Sequence, residues 1–269
     1  MSSISSFVED VREQPDLAGY YAVMGVVVAV FTGLWLYEGH YLFTAWFPSL
    51  FDEITPINGV MAGAFMTLML ACSVVSLFRP RSAIGPSKVL LVGAGTLGVV
   101  LPLAFILSEP LVTAVLLVVA GSILVLLARL HPAGSAVLPA GRGDVSYPLA
   151  GLTILVAVPF LWMAADFQWL QITLDDEVAQ RWFYGGFSMY LLVVVSLMAV
   201  TSVDGTTRRF TAGAAVFLTS ILGLVSIVYP SELHSLGLVG GGLLLAWCAG
   251  VAAVTFGNIS LATSQTPDE

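Results

Sequence analysis

The residues of this chain that could do chemistry are three histidines, a few clustered acids and two aromatic loops. His40 follows Glu38 by two positions, and His234 follows Glu232 by two. Imidazole beside carboxylate suits several divalent transition metals, so His40 and His234 are a candidate metal pair. They lie far apart in the chain and lack the short, fixed spacing of a metal motif. Cys72 and Cys248 form no such spacing either. The third histidine, His131, follows an apolar run and precedes a proline.

The aromatic loops are the stronger signal. The first, "YEGHYLFTAWFPSLFDE", runs from Tyr37 to Glu53. Phe43, Trp46, Phe47, Leu50, Phe51 and Ile54 follow helical spacing, with Thr44, Ser49, Asp52 and Glu53 between them. Pro48 should split the pattern into two short turns. An apolar stripe opposite an acidic face suits a segment lying in the membrane interface, a depth that also favours Trp and Tyr. The second loop, "DFQWLQITLDDEVAQRWFYGG", runs from Asp166 to Gly186. Thr173 and Asp176 make a loose capping box, and the acids at 175–177 favour the positive end of a helix. The spacing predicts a helix that begins there, lines up Leu174, Val178 and Trp182, and runs into the next apolar segment. Together the loops could roof a groove for a lipid, a quinone-like molecule or a partner helix. Phe43, Trp46, Phe47, Phe51, Trp169 and Trp182 are the candidate binding residues.

The elements that must position these loops are membrane spans. The 269 residues are 58% hydrophobic and only 10% charged, against about 25% charged in soluble domains; mean hydropathy is +0.96. Apolar runs long enough to cross a bilayer fall at approximately 18–37, 59–78, 89–108, 111–130, 149–167, 184–203, 210–229 and 236–257. The expected fold is therefore an all-α integral membrane protein with eight transmembrane helices. The loops after the first and fifth spans are expected on the outer side. With the N-terminus inside, Arg12, Arg79, Arg81, Lys88, Arg129, Arg142, Arg208 and Arg209 are cytoplasmic and only Arg181 is outside. That split is what the positive-inside bias requires, and it places both termini in the cytoplasm of a cell-membrane protein. The start holds four acids and one Arg before residue 18, unlike a cleavable signal peptide, so the first span is expected to be retained.

Long and short loops alternate in the same order twice. The links "RPRSAIGPSK" after span 2 and "VDGTTRR" after span 6 correspond, and a shift of 127 residues aligns Tyr20 with Tyr147, Leu34 with Leu161 and Trp35 with Trp162. This predicts a 4+4 parallel pseudo-repeat. Residues 1–17 form a cytoplasmic segment, 18–130 the first half, 131–147 a linker, 148–257 the second half and 258–269 a tail. Gly59 and Gly63 in span 2, and Gly242, Ala246 and Gly250 in span 8, have the spacing of helix contact faces. Pro102 and Pro159 should kink spans 3 and 5.

Two partial resemblances fail on their key residues. Eight spans in a 4+4 plan resemble the layout of haem A synthases, but no expected span here holds a haem-ligating histidine. "GRGD" at Gly141–Asp144 resembles the GxGD element of intramembrane aspartyl proteases, but no span supplies a second Asp. The formal net charge of −8 and the absence of a basic patch argue against nucleic acid. No cofactor is expected. No span carries a charge near its middle, which lowers the odds of ion coupling or intramembrane catalysis. Three functional classes remain. The first is a non-catalytic membrane component, acting on the bilayer, another membrane protein or an apolar small molecule. The second is a transporter for a small neutral or weakly cationic solute. The third is an outer-surface enzyme on a lipid-linked substrate, using Asp52, Glu53, Asp175, Asp176 or His40.

Overall fold

The computed structural model describes residues 15–47, 56–103, 106, 110–138 and 145–257. Eight long helices run through them. They are α1 (Pro15–Leu34), α2 (Pro56–Phe78), α3 (Ile84–Leu103), α4 (Pro110–Leu130), α5 (Tyr147–Thr173), α6 (Phe183–Val203), α7 (Arg208–Val228) and α8 (Gly237–Phe256). Each has 20 to 27 residues, and 20 residues rise about 30 Å, the thickness of the hydrocarbon core. Apolar windows in all eight reach mean hydropathies of 1.6 to 2.9. The chain is an all-α multi-pass membrane protein.

Helix ends depart from the expected boundaries in three informative places. α1 continues through a π-turn at Trp35–Gly39 and a single turn at Tyr41–Thr44, making one helical run from Leu17 to Thr44. α5 extends to Thr173 and absorbs the first third of the expected second loop. α3 begins at Ile84, so Lys88 lies inside a helix and not in a loop. The expected helix from Thr173 into span 6 does not form. Asp176 caps one turn, Glu177–Gln180, by accepting from the Ala179 N–H at 2.7 Å. The chain then breaks at Trp182, whose φ of 60° is left-handed, before α6 starts. Thr173 turns its hydroxyl back to the Trp169 carbonyl at 2.8 Å, as helix-terminal threonines do.

Packing sorts the helices into two kinds. In α6, α2 and α7, 67, 56 and 56% of the spanning window is buried, and in α3 44%; α1, α5 and α8 bury 28% and α4 only 11%. The four central helices are thus α2, α3, α6 and α7, and the rest present Val, Leu and Trp to lipid. α1 packs on α2, α2 on α3, α3 on α4 and α4 back on α1; α5 to α8 close a second ring in the same order. The rings meet through α2 and α3 against α6 and α7, so exchanging the halves leaves the principal helix neighbours unchanged. Under the 127-residue shift the aligned aromatics differ in environment. Tyr20 is fully buried and Tyr147 is 83% exposed, while Trp35 is half-buried and Trp162 is 77% exposed.

Interhelical hydrogen bonds join the lattice where lipid offers no alternative partner. Tyr20 donates to the Ser76 carbonyl (3.0 Å), Tyr190 to that of Leu218 (2.7 Å) and Trp247 Nε1 to that of Leu152 (2.9 Å). The expected small-residue face of α8 needs correction. Gly242 and Ala246 are exposed and Gly250 is half-buried, and a Cβ on Gly242 would meet nothing within 4 Å. The close approach is made one residue earlier, where a Cβ on Gly241 would sit 2.5 Å from the Gly223 carbonyl oxygen of α7. Both positions are small, so spacing could not choose between faces. Pro102 and Pro159 do lie inside helices, and the carbonyl of Pro102 accepts from Thr113 Oγ1 at 3.0 Å.

Candidate functional site

Polar groups gather at the two ends of the central helices. At the end carrying the α1–α2 and α5–α6 connectors, a cleft of about 100 Å³ opens between the halves. Glu38 and Tyr41 of the first connector, Asn58, Met61 and Phe65 of α2, and Arg181, Trp182, Phe187, Met189 and Tyr190 on the α6 side are among its lining residues.

Local sequence sets each wall. The π-turn brings Glu38 to the cleft, and such turns often mark functional sites. It is held by Trp35, whose ring a Cβ on Gly39 would overlap, and whose Nε1 donates to Thr67 Oγ1 at 3.0 Å. Thr67 in turn donates to the Gly63 carbonyl at 2.7 Å. Gly63 has no side chain because the backbone of Leu42 rests directly on it. Tyr229 adds a tie from the other half, its hydroxyl meeting the Ala45 carbonyl at 3.2 Å. On the α6 wall, buried Gln171 holds the connector at both ends. It donates to the Ala179 carbonyl (2.8 Å) and accepts the Gly185 N–H (2.9 Å). Gly185 is needed because the Trp182 indole lies on it; a Cβ there would come 2.6 Å from Nε1. A left-handed tryptophan is strained backbone, which persists where surrounding contacts over-determine it.

The lining carries one carboxylate, Glu38, and one guanidinium, Arg181, which also pairs with Glu177 at 2.7 Å. Below them the surface is methionine and aromatic. Two lining donors, Asn58 Nδ2 and Trp182 Nε1, are buried with no hydrogen-bond partner among the described residues. Such a surface can hold an amphiphilic or apolar molecule and orient it. Among the described residues no three His, Cys, Asp or Glu side chains converge on a metal position.

Of the sequence-derived candidates, Trp182 lines the cleft. Phe43 and Phe47 point outward, 63 and 59% exposed, and Trp169 on α5 is 65% exposed. Trp46 packs against the core and donates Nε1 to the Leu42 carbonyl at 2.8 Å. Phe51 lies outside the described residues, as do Asp52, Glu53 and the Gly141–Asp144 segment. His40 is exposed, its ring tilted against that of Tyr41 with centroids 4.1 Å apart. His234 is buried behind the cleft wall, against Phe187 (4.8 Å), Phe167 (4.8 Å) and Tyr184 (5.7 Å). Burial pushes its pKa down to about 4. The two histidines therefore occupy different environments. Sequence reasoning missed Asn58, Arg181 and Tyr190 as cleft residues. Arg181 had a usable signal, as the one cation expected on the outer side.

The opposite end of the central helices holds a buried ion pair between Lys88 of α3 and Asp204 at the end of α6, both inaccessible to solvent. Asp204 Oδ1 also accepts from the Thr206 N–H (3.0 Å) and hydroxyl (2.6 Å), and Oδ2 from the Thr207 hydroxyl (3.0 Å). Burial alone raises a carboxyl pKa; here the Lys88 ammonium and the Thr206 and Thr207 donors outweigh it and bring Asp204 down to about 2. Lys88 and Asp204 belong to the two corresponding links, "RPRSAIGPSK" and "VDGTTRR", so the pair ties one half to the other. Neither charge is near the middle of a span, since Lys88 is in the second turn of α3 and Asp204 follows α6; the ion pair itself was not expected from the sequence. The pair evaded detection because each charge, read alone, borders a loop.

A neutral network lies beside it. His131 Nδ1 accepts the Ala133 N–H at 3.1 Å, which leaves the proton on Nε2 to donate to Ser87 Oγ at 3.0 Å. Ser87 meets Ser76 Oγ at 2.9 Å, and Tyr20 packs edge-on against His131 at 5.1 Å. Burial lowers the His131 pKa to about 4, consistent with that neutral tautomer. Comparison of this chain with known protein families, with curated proteins and with solved structures finds no match.

Proposed function

We propose that this multi-pass membrane protein is a non-catalytic membrane component that binds a lipid-soluble molecule in the cleft between its halves. The observation that carries the reading is the cleft itself. It lies between the halves, is walled by methionine and aromatic side chains, and has one acid and one guanidinium among its lining residues. The exposed Phe43, Phe47 and Trp169 surround that end of the molecule as interfacial anchors, and another membrane protein could dock on them. The cation distribution supports a cell-membrane location with both termini cytoplasmic and the cleft outside. Lys88 no longer counts toward it, because its charge is buried in an ion pair. The helix-neighbour pattern supports a 4+4 repeat of architecture, with residue identities diverged.

The test is extraction in native lipid particles followed by mass analysis of bound small molecules. Wild type should retain a lipid-soluble molecule, and Ala62→Phe, which fills the cleft from α2, should not. Equal retention by both, or by neither, overturns the assignment.

A second reading is favoured by the contrast between the ends. The cleft is open between the halves, while about 30 Å away along α6 the Lys88–Asp204 pair holds the halves closed. A transporter of a small neutral or weakly cationic solute, caught open to one side, has this arrangement. Solute-dependent labelling of a cysteine placed at Ser202, with uptake into proteoliposomes, supports it; uptake indistinguishable from empty liposomes removes it.

A further inference from the structure

A buried polar atom without a partner calls for an explanation. Two such atoms among the described residues, Asn58 Nδ2 and Trp182 Nε1, belong to side chains that line the cleft. Asn58 is only 8% exposed, on α2 in the first half; Trp182 stands at the entry to α6 in the second. Both atoms can donate a hydrogen bond and neither can accept one. The neighbouring Tyr190 hydroxyl is already spent on the Leu218 carbonyl at 2.7 Å. The missing partner is therefore an acceptor. An anion is disfavoured, because Arg181 is already paired with Glu177 at 2.7 Å and Glu38 adds a carboxylate to the lining. Met61, Met66 and Met189 with Phe65 supply a polarisable apolar bed that adapts to a ring or a chain. Gly185 beneath the indole fixes where Nε1 lies.

We propose that the cleft takes a neutral, lipid-soluble molecule by a carbonyl oxygen, which accepts hydrogen bonds from Asn58 Nδ2 and Trp182 Nε1. This rests on the reading of the cleft as a binding site for a lipid-soluble molecule. Two sources offer that chemistry, a quinone ring ketone and the ester carbonyl of an acyl lipid.

The experiment uses the full chain in nanodiscs with ¹⁵N-labelled tryptophan, and assigns the Trp182 indole signal with Trp182→Phe. Three probes are titrated: a decyl-substituted benzoquinone, dihexanoylglycerol, and decylbenzene as the oxygen-free match. At least one carbonyl probe should bind and move the Trp182 indole proton downfield. Asn58→Leu and Trp182→Phe should each weaken that probe about tenfold, the loss of one buried hydrogen bond, and change decylbenzene affinity by much less than that. Gly185→Ala keeps both donors but displaces the indole, and should weaken the carbonyl probe in the same way. Which probe binds identifies the source as ring ketone or ester. Equal affinity for decylbenzene and the carbonyl probes, with a stationary indole signal, overturns the carbonyl assignment and leaves the cleft reading standing. Failure of all three to bind wild type overturns both.

Discussion

Replacing Lys88 by methionine keeps most of the stem's volume and removes the charge that neutralises Asp204. Removing one member of a buried pair typically costs about 3–5 kcal/mol, because the other charge stays in a low-dielectric site. Asp204 would keep three donors, the Thr206 N–H and the Thr206 and Thr207 hydroxyls. Those hydrogen bonds hold a carboxylate without a cation, so the expected loss is at the lower end, about 3 kcal/mol. For a chain of this size that corresponds to a fall in Tm of roughly 6–12 °C. Asp204→Asn should cost more, since the fully buried Lys88 ammonium loses its carboxylate. The double variant Lys88→Met/Asp204→Asn should be less damaged than the sum of the singles by about 2 kcal/mol or more, as contacting charges require. The assay is thermal unfolding of all four proteins in one detergent at pH 7. A Lys88→Met Tm within about 2 °C of wild type, or strict additivity in the double variant, would refute the claim that this pair clamps the halves.

Three further outcomes follow from the same geometry. Gly241→Ala should lower Tm clearly, because its methyl meets the Gly223 carbonyl at 2.5 Å, while Gly242→Ala meets nothing within 4 Å and should be neutral or slightly stabilising; the reverse order would put the α7–α8 contact on the wrong face. Gly63→Ala should detach the Tyr37–Phe47 connector from α2 without unfolding the bundle, seen as faster proteolysis near Trp46 at nearly unchanged helicity. His131 and His234 have pKa values held down near 4 against an ordinary 6.5. The unfolded chain then binds more protons between those values, so stability is complete above about pH 6.5 and declines as pH falls toward 4. Tm measured across that window should drop, and His131→Gln should flatten part of the decline.

Much of this protein is legible without its structure. Twenty-residue apolar stretches can satisfy their backbone groups in lipid only as helices, so eight spans, their order and their connectors follow from hydropathy alone. Trp182 was legible as a candidate because the loop that carries it is rich in aromatics, and it does line the cleft. Lys88 and Asp204 were not, since a charge near a span end reads as loop until the partner from the other half is in place. Periodicity also failed to separate central from peripheral helices: lipid is as apolar as a protein core, so α4 and α6 look alike in sequence although one is bathed in lipid and the other buried. The same equivalence hid the choice of Gly241 over Gly242. What tertiary structure alone decided is which apolar faces meet protein, and therefore where the few polar side chains of two distant halves converge on one cleft and one ion pair.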